Sequence, residues 1–192
     1  MKIASKWISG ITVVSLAGLL CMTVGLPVVR GQAAHVRWDI VTIAGGSPAP
    51  GGIASALSDN NSVITITGSG TFVAPAGGDG TSSATTGGGT WKVFASGATT
   101  PSATGSYVVT GLVRWEEKGT FSLPTTVGGL AILRVEFSDG SHGVLTVSCH
   151  APNGGDPAVF EGITVSKSFV DYWNRQAPVG GVEGNRTVFH VD

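Results

Sequence analysis

From Tyr107 to Glu116 the chain alternates strictly, with Tyr107, Val109, Gly111, Val113 and Trp115 on one parity and Val108, Thr110, Leu112, Arg114 and Glu116 on the other. A period of two belongs to a pleated strand with one face buried, and no helix satisfies it. The first set is expected to face inward. Similar runs, bounded by Gly, Pro, Asn and Asp turns, predict about eight strands. They are Val36 to Ile43, Val63 to Val73, Gly89 to Ala95, Ser106 to Glu116, Leu130 to Ser138, Gly143 to His150, Val159 to Val165 and Arg186 to Val191.

The hairpin over Asp139-Gly140-Ser141 sets a register. With those three as the loop, Ser138 faces His142, and Leu133, Val135 and Phe137 share a face with Gly143, Leu145, Val147 and Cys149. The segment 166–174 is ambiguous. Val165, Phe169 and Trp173 recur every four residues as in a short helix, yet all are odd-numbered as in a strand. Gly45 to Gly52 and Gly77 to Gly88 have the composition of surface loops.

Glycine sharpens the picture, since 30 of 192 residues are Gly while only 12% are charged. Thr67-Gly68-Ser69-Gly70-Thr71-Phe72, Thr86-Gly87-Gly88-Gly89-Thr90-Trp91 and Thr110-Gly111-Leu112-Val113-Arg114-Trp115 share Thr-Gly, three residues, then an aromatic. Glycine inside a strand marks a bulge or sharp bend, the device by which a sheet coils or closes. The expected fold is all-β: an antiparallel barrel or strongly bent sandwich of about eight strands, with a short helix near 166–174 as the one alternative element.

The N-terminus reads as an export signal. Lys2 and Lys6 precede an apolar run from Ile8 to Val29, and Gly31-Gln32-Ala33 places small residues where a signal peptidase needs them. Residues 1–33 are expected to be a signal peptide and 34–192 a single secreted or envelope domain, with cleavage after Ala33 or Ala34. The alternative is retention of 8–29 as a membrane anchor, the sole route to a membrane in this reading. Cys21 follows Leu19-Leu20, which does not suit lipoprotein processing. The mature chain then has eight cations against 12 anions, a net −4. Without a Lys/Arg cluster to oppose it, that charge argues against nucleic acid as a partner. Cys149 is the sole mature cysteine, so no internal disulfide forms.

No phosphate loop, nucleophile elbow, zinc pattern or calcium loop is present, so no cofactor or metal is expected. Cys149-His150 resembles a thiol-base pair, but strand neighbours point to opposite faces. His142 and His150 share a face about 26 Å apart, too far for one metal ion. Among the carboxylates, Glu161 is the one expected to be partly buried, because Val159, Phe160 and Ile163 surround it. The periodicity places Trp91 and Trp115 in the core. The densest recognition-capable run is Phe169-Val170-Asp171-Tyr172-Trp173-Asn174-Arg175. Candidate ligand-binding residues are therefore Glu161, Asp171, Tyr172, Trp173 and Arg175.

That run, with Phe160-Glu161-Gly162-Ile163-Thr164 and Asn185-Arg186-Thr187-Val188-Phe189-His190-Val191, resembles a group of uncharacterised secreted bacterial proteins over roughly Trp38 to the C-terminus. The resemblance implies export and a bacterial origin and brings no activity or ligand with it. The leading expectation is a non-catalytic extracellular or cell-envelope β-domain, structural or binding a small molecule, glycan or envelope component. A secreted hydrolase or isomerase would instead need Glu161, Asp171, Tyr172 and Arg175 to converge at a barrel mouth. A carbohydrate-binding module using exposed aromatics would need at least two of them coplanar.

Overall fold

A computed structural model describes residues 33–76, 80–151, 156–176 and 184–192, so residues 1–32 of the proposed signal peptide lie outside the described residues. Among the described residues there are twelve strands and no helix. They are β1 (Ala34–Ala44), β2 (Ser47–Pro50), β3 (Ala54–Ser58), β4 (Val63–Ile66), β5 (Ser69–Ala74), β6 (Thr85–Phe94), β7 (Ala103–Thr120), β8 (Thr126–Phe137), β9 (His142–Cys149), β10 (Gly162–Lys167), β11 (Val170–Gln176) and β12 (Arg186–Val191). All pair antiparallel in the order β12-β1-β5-β6-β4-β3-β11-β10-β9-β8-β7, with β2 added on β1. Further pairings of β12 with β8 and of β6 with β7 make the sheet ring round its core. Because β6 serves β4, β5 and β7, the ring branches and is no simple barrel.

The glycine repeat is where the branching happens. The expected strand Val63 to Val73 is two strands broken at Thr67-Gly68, and the first two copies of the repeat pair with each other, Ser69 opposite Gly88 and Gly70 opposite Gly87. Thr67 and Thr90 hydroxyls meet at 2.7 Å, as do those of Thr71 and Thr86. Backbones approach so closely that a Cβ on Gly89 would lie 1.8 Å from the Thr67 carbonyl oxygen. The third copy sits on β7, where the register against β8 slips between Val109 and Gly111 and again between Leu112 and Arg114. Each slip changes which parity faces inward. Leu112 is therefore buried in place of the expected Val113, while Tyr107, Val109 and Trp115 are buried as the alternation requires.

Three other expectations need correction. The segment 166–174 is the β10–β11 hairpin, turning at Ser168, which takes a left-handed φ of 56°; the four-residue spacing was side-chain coincidence on two strands. Within Gly45 to Gly52, Ser47–Pro50 pairs with β1, and within Gly77 to Gly88 the last four residues belong to β6. The β8–β9 loop is Ser138-Asp139-Gly140, closed by Phe137 and Ser141, so Glu136 faces His142. Gly140 supplies the left-handed φ of 81° that a three-residue hairpin loop wants. Both strands slip by one, which preserves relative parity, and Leu133, Val135, Phe137, Leu145, Val147 and Cys149 are all buried together.

The core is aromatic at its centre. Trp115 packs on Phe189 at 4.6 Å and on Phe72 at 5.4 Å between ring centroids, and Trp91 meets Phe137 edge-on at 6.0 Å. Two polar edges are satisfied inside, Trp91 Nε1 donating to the Ser106 carbonyl and Tyr107 Oη to that of Thr67, both at 3.1 Å, whereas the buried Trp38 Nε1 has no acceptor among the described residues. At the Phe137 end, Lys167 lays its Nζ 4.4 Å from the Trp91 ring and 5.0 Å from Phe137, donating to Asp139 and Ser141. Lys167 holds the Asp139 carboxyl down at about 2. A depressed carboxylate stabilises above its ordinary pKa and loses that contribution as pH falls from about 4 to about 2. Lys167→Met is expected to cost about 1 kcal/mol and to flatten that acid limb in pH-dependent urea denaturation; an unchanged limb would separate the pair from stability.

Candidate functional site

Val41 on β1 and Val188 on β12 are buried although their neighbours Ile40 and Phe189 already face the core. Both faces of this strand pair are therefore covered. On the outside the cover is the segment Phe121 to Pro124, with β2 extending the sheet beside β1, and between cover and sheet lies a cavity of about 180 Å³. Its walls are largely apolar, from Val41, Ile43, Pro48, Phe121, Leu123 and Val188, while Glu161, His150 and Arg186 bring the polar chemistry. Past Pro48 and Leu123 the same outer face continues into a more polar recess of about 380 Å³ carrying Arg37, Asp39 and His190.

The cavity lies at a seam. β12 pairs with β8 only at Phe189 and His190, so its first residues have no ladder partner on that side. Glu161 fills the place of the missing strand. Its Oε1 accepts the Thr187 amide at 2.7 Å and its Oε2 the His150 amide at 2.8 Å, linking β12 to the end of β9. Thr187 Oγ1 adds a bond to the Ser148 carbonyl at 2.6 Å, and Ser148 Oγ one to that of Phe160 at 2.7 Å. Burial pushes the Glu161 carboxyl above its ordinary range, outweighing the two amide donors and the Arg186 charge that pull it down.

His150 follows the last residue of β9, so the strand alternation that would separate it from Cys149 no longer applies there. Both reach the cavity wall. His150 Nδ1 sits 2.9 Å from the Val159 carbonyl; an oxygen can only accept, so Nδ1 carries the hydrogen and a neutral ring presents Nε2 as an acceptor. Burial, reinforced by Glu161, pushes the Cys149 thiol up to about 12. It stays a thiol at any physiological pH and lacks the thiolate a nucleophile requires.

The five residues picked from the sequence do not converge. Glu161 is in the seam. Tyr172 points into the core and is buried, while Asp171, Trp173 and Arg175 are exposed. Arg175 approaches Glu161 only through the backbone, donating to its carbonyl at 3.3 Å and stacking on Phe160 at 5.2 Å. No family model, curated protein or solved structure matches the chain.

Sequence reasoning missed Thr187, Ser148 and the apolar lid. Thr187 and Ser148 look like ordinary strand residues and carry no signal. Phe121 and Leu123 did: two large apolar side chains in a turn-rich stretch that no strand claimed, and Leu123 is still 50% exposed.

Proposed function

We propose that this is an exported, non-catalytic β-domain that binds one small, mainly apolar molecule in the seam cavity between β1, β12 and the Phe121–Pro124 segment. The observation that carries the reading is the second covered face: Val41 and Val188 are buried outside the main core, beneath a lid that leaves about 180 Å³ unfilled. A dry apolar cavity of about 150 Å³ is enough for a benzene-sized guest, which limits the ligand to a single ring or a short chain. Arg186, the His150 ring and the Thr126 hydroxyl would orient its polar end. The protonated Cys149, and a Glu161 whose oxygens both hold backbone amides, support binding over turnover. Export rests on the charge and apolar pattern of residues 1–33.

Indole, benzoate and hexanoate are suitable probes. A ligand at a hundred times its dissociation constant stabilises the folded state by about 2.7 kcal/mol, visible as a rise in melting temperature. Leu123→Trp fills the mouth from an exposed position and is expected to abolish that rise without lowering the melting temperature of the free protein. If none of the three probes raises the melting temperature or shifts the Thr187 and His150 amide resonances, the cavity is not a binding site for this class.

A further inference from the structure

The outer face of β9, β10 and β11 carries a separate recess of about 310 Å³. Strand register places its floor. Thr146 on β9 stands opposite Thr164 on β10, and Ser166 on β10 lies between Val144 on β9 and Asp171 on β11. The hydroxyls of Thr146, Thr164 and Ser166 and the Asp171 carboxylate bond to no other described residue, so they face the recess as open donors and acceptors.

Trp173 makes the wall. It is the extra residue where β11 slips against β3 between Tyr172 and Asn174, and a bulge of this kind re-aims a side chain. The indole is 59% exposed, yet it is fixed, because Nε1 donates to Asp59 Oδ1 at 2.8 Å. With its N–H engaged inside the protein, the ring offers a ligand its π face.

We propose that this recess binds one neutral sugar ring, with the ring's C–H face against Trp173 and its hydroxyls on Thr146, Thr164, Ser166 and Asp171. A sugar ring combines a weakly polar C–H face with a rim of hydroxyls, which is the pattern the recess presents in complement. The sequence alone asked for at least two coplanar exposed aromatics; the recess has Trp173 as its one exposed aromatic, and the hydroxyl floor takes the part of the second ring. The lining holds no cation and one carboxylate, so an anionic sugar or a phosphate meets repulsion without a counter-charge. Pre-fixing the indole through Asp59 removes part of the ordering cost of binding. The site is independent of the seam cavity.

The test is calorimetric titration of the mature protein with neutral oligomers of glucose, mannose, xylose and N-acetylglucosamine, with a glucuronate oligomer as the anionic control. At least one neutral oligomer is expected to bind. Trp173→Ala is expected to weaken it by about tenfold or more, as loss of an anchoring aromatic does, and Trp173→Phe to retain most of the affinity. Thr164→Val and Asp171→Asn are each expected to weaken it several-fold, while Leu123→Trp leaves it unchanged. Trp173 and Asp171 are exposed, so their variants keep the fold, which circular dichroism checks. Absence of neutral-oligomer binding, binding that survives Trp173→Ala, or preference for glucuronate would each overturn the proposal.

Discussion

Gly89→Ala is expected to be among the most damaging single-methyl changes at the described residues, costing about 3 kcal/mol or more in urea denaturation, at or beyond the top of the usual overpacking range. The added Cβ would lie 1.8 Å from the Thr67 carbonyl oxygen and 2.7 Å from the Gly68 Cα. Both obstacles are backbone, so no rotamer change relieves them; β6 must move away from the Thr67-Gly68 link between β4 and β5. That separation would break the branch at which β6 leaves β5 for β4 and β7. Gly111→Ala is the matched control. It occupies the second position of the same repeat as Gly68 and Gly87, yet nothing lies closer than 3.6 Å to its added Cβ. Its cost is expected to stay within about 0.5 kcal/mol. Equal effects at the two positions would show that close backbone approach at Gly89 does not hold the ring together.

Loss of Glu161 is the second large effect. Glu161→Ala leaves the Thr187 and His150 amides without their acceptors, and each orphaned buried donor costs about 1–3 kcal/mol. Glu161→Gln keeps the shape but turns an amide NH₂ towards one of those donors, so it is expected to cost about half as much. The pH dependence has a definite sign. Because burial raises the Glu161 pKa, the folded state holds the proton more tightly than the unfolded chain. Its contribution is then complete below the ordinary glutamate pKa and declines as pH rises through the raised value. The stability difference between wild type and Glu161→Gln should shrink as pH rises from about 4 upward. A difference that grows with pH would show that the two amides outweigh burial.

Much of the sheet was legible because alternation is a local property. The inward set of β8 and β9 follows from counting residues, and it survives a one-residue error on each side of the loop, since parity is unaffected. β7 shows where counting fails: two bulges move Leu112 in and Val113 out, and a bulge depends on the partner strand. β3 was invisible for another reason. Ala54-Ser55-Ala56-Leu57-Ser58 has little strand propensity, although Ala54 and Ala56 are fully buried.

At the candidate site the division is the same. Partial burial of Glu161 could be expected from its apolar neighbours, but its partners, 11 and 26 residues away, could not. Asp171 and Trp173 were paired by nearness in sequence and stay paired on one outer face, whereas Tyr172 between them goes into the core by the same pleat.

By itself the sequence determined the all-β class, most strand positions, the inward parity and the glycine-rich bends, all of which follow from steric rules acting over a few residues. Tertiary structure alone decided that β12 meets β8 for just two residues, leaving a seam for Glu161 to bridge, and that the Phe121 segment covers it. Ring closure brings together strands far apart in the chain, and the energy of that closure depends on packing and unmatched amides that no local pattern records.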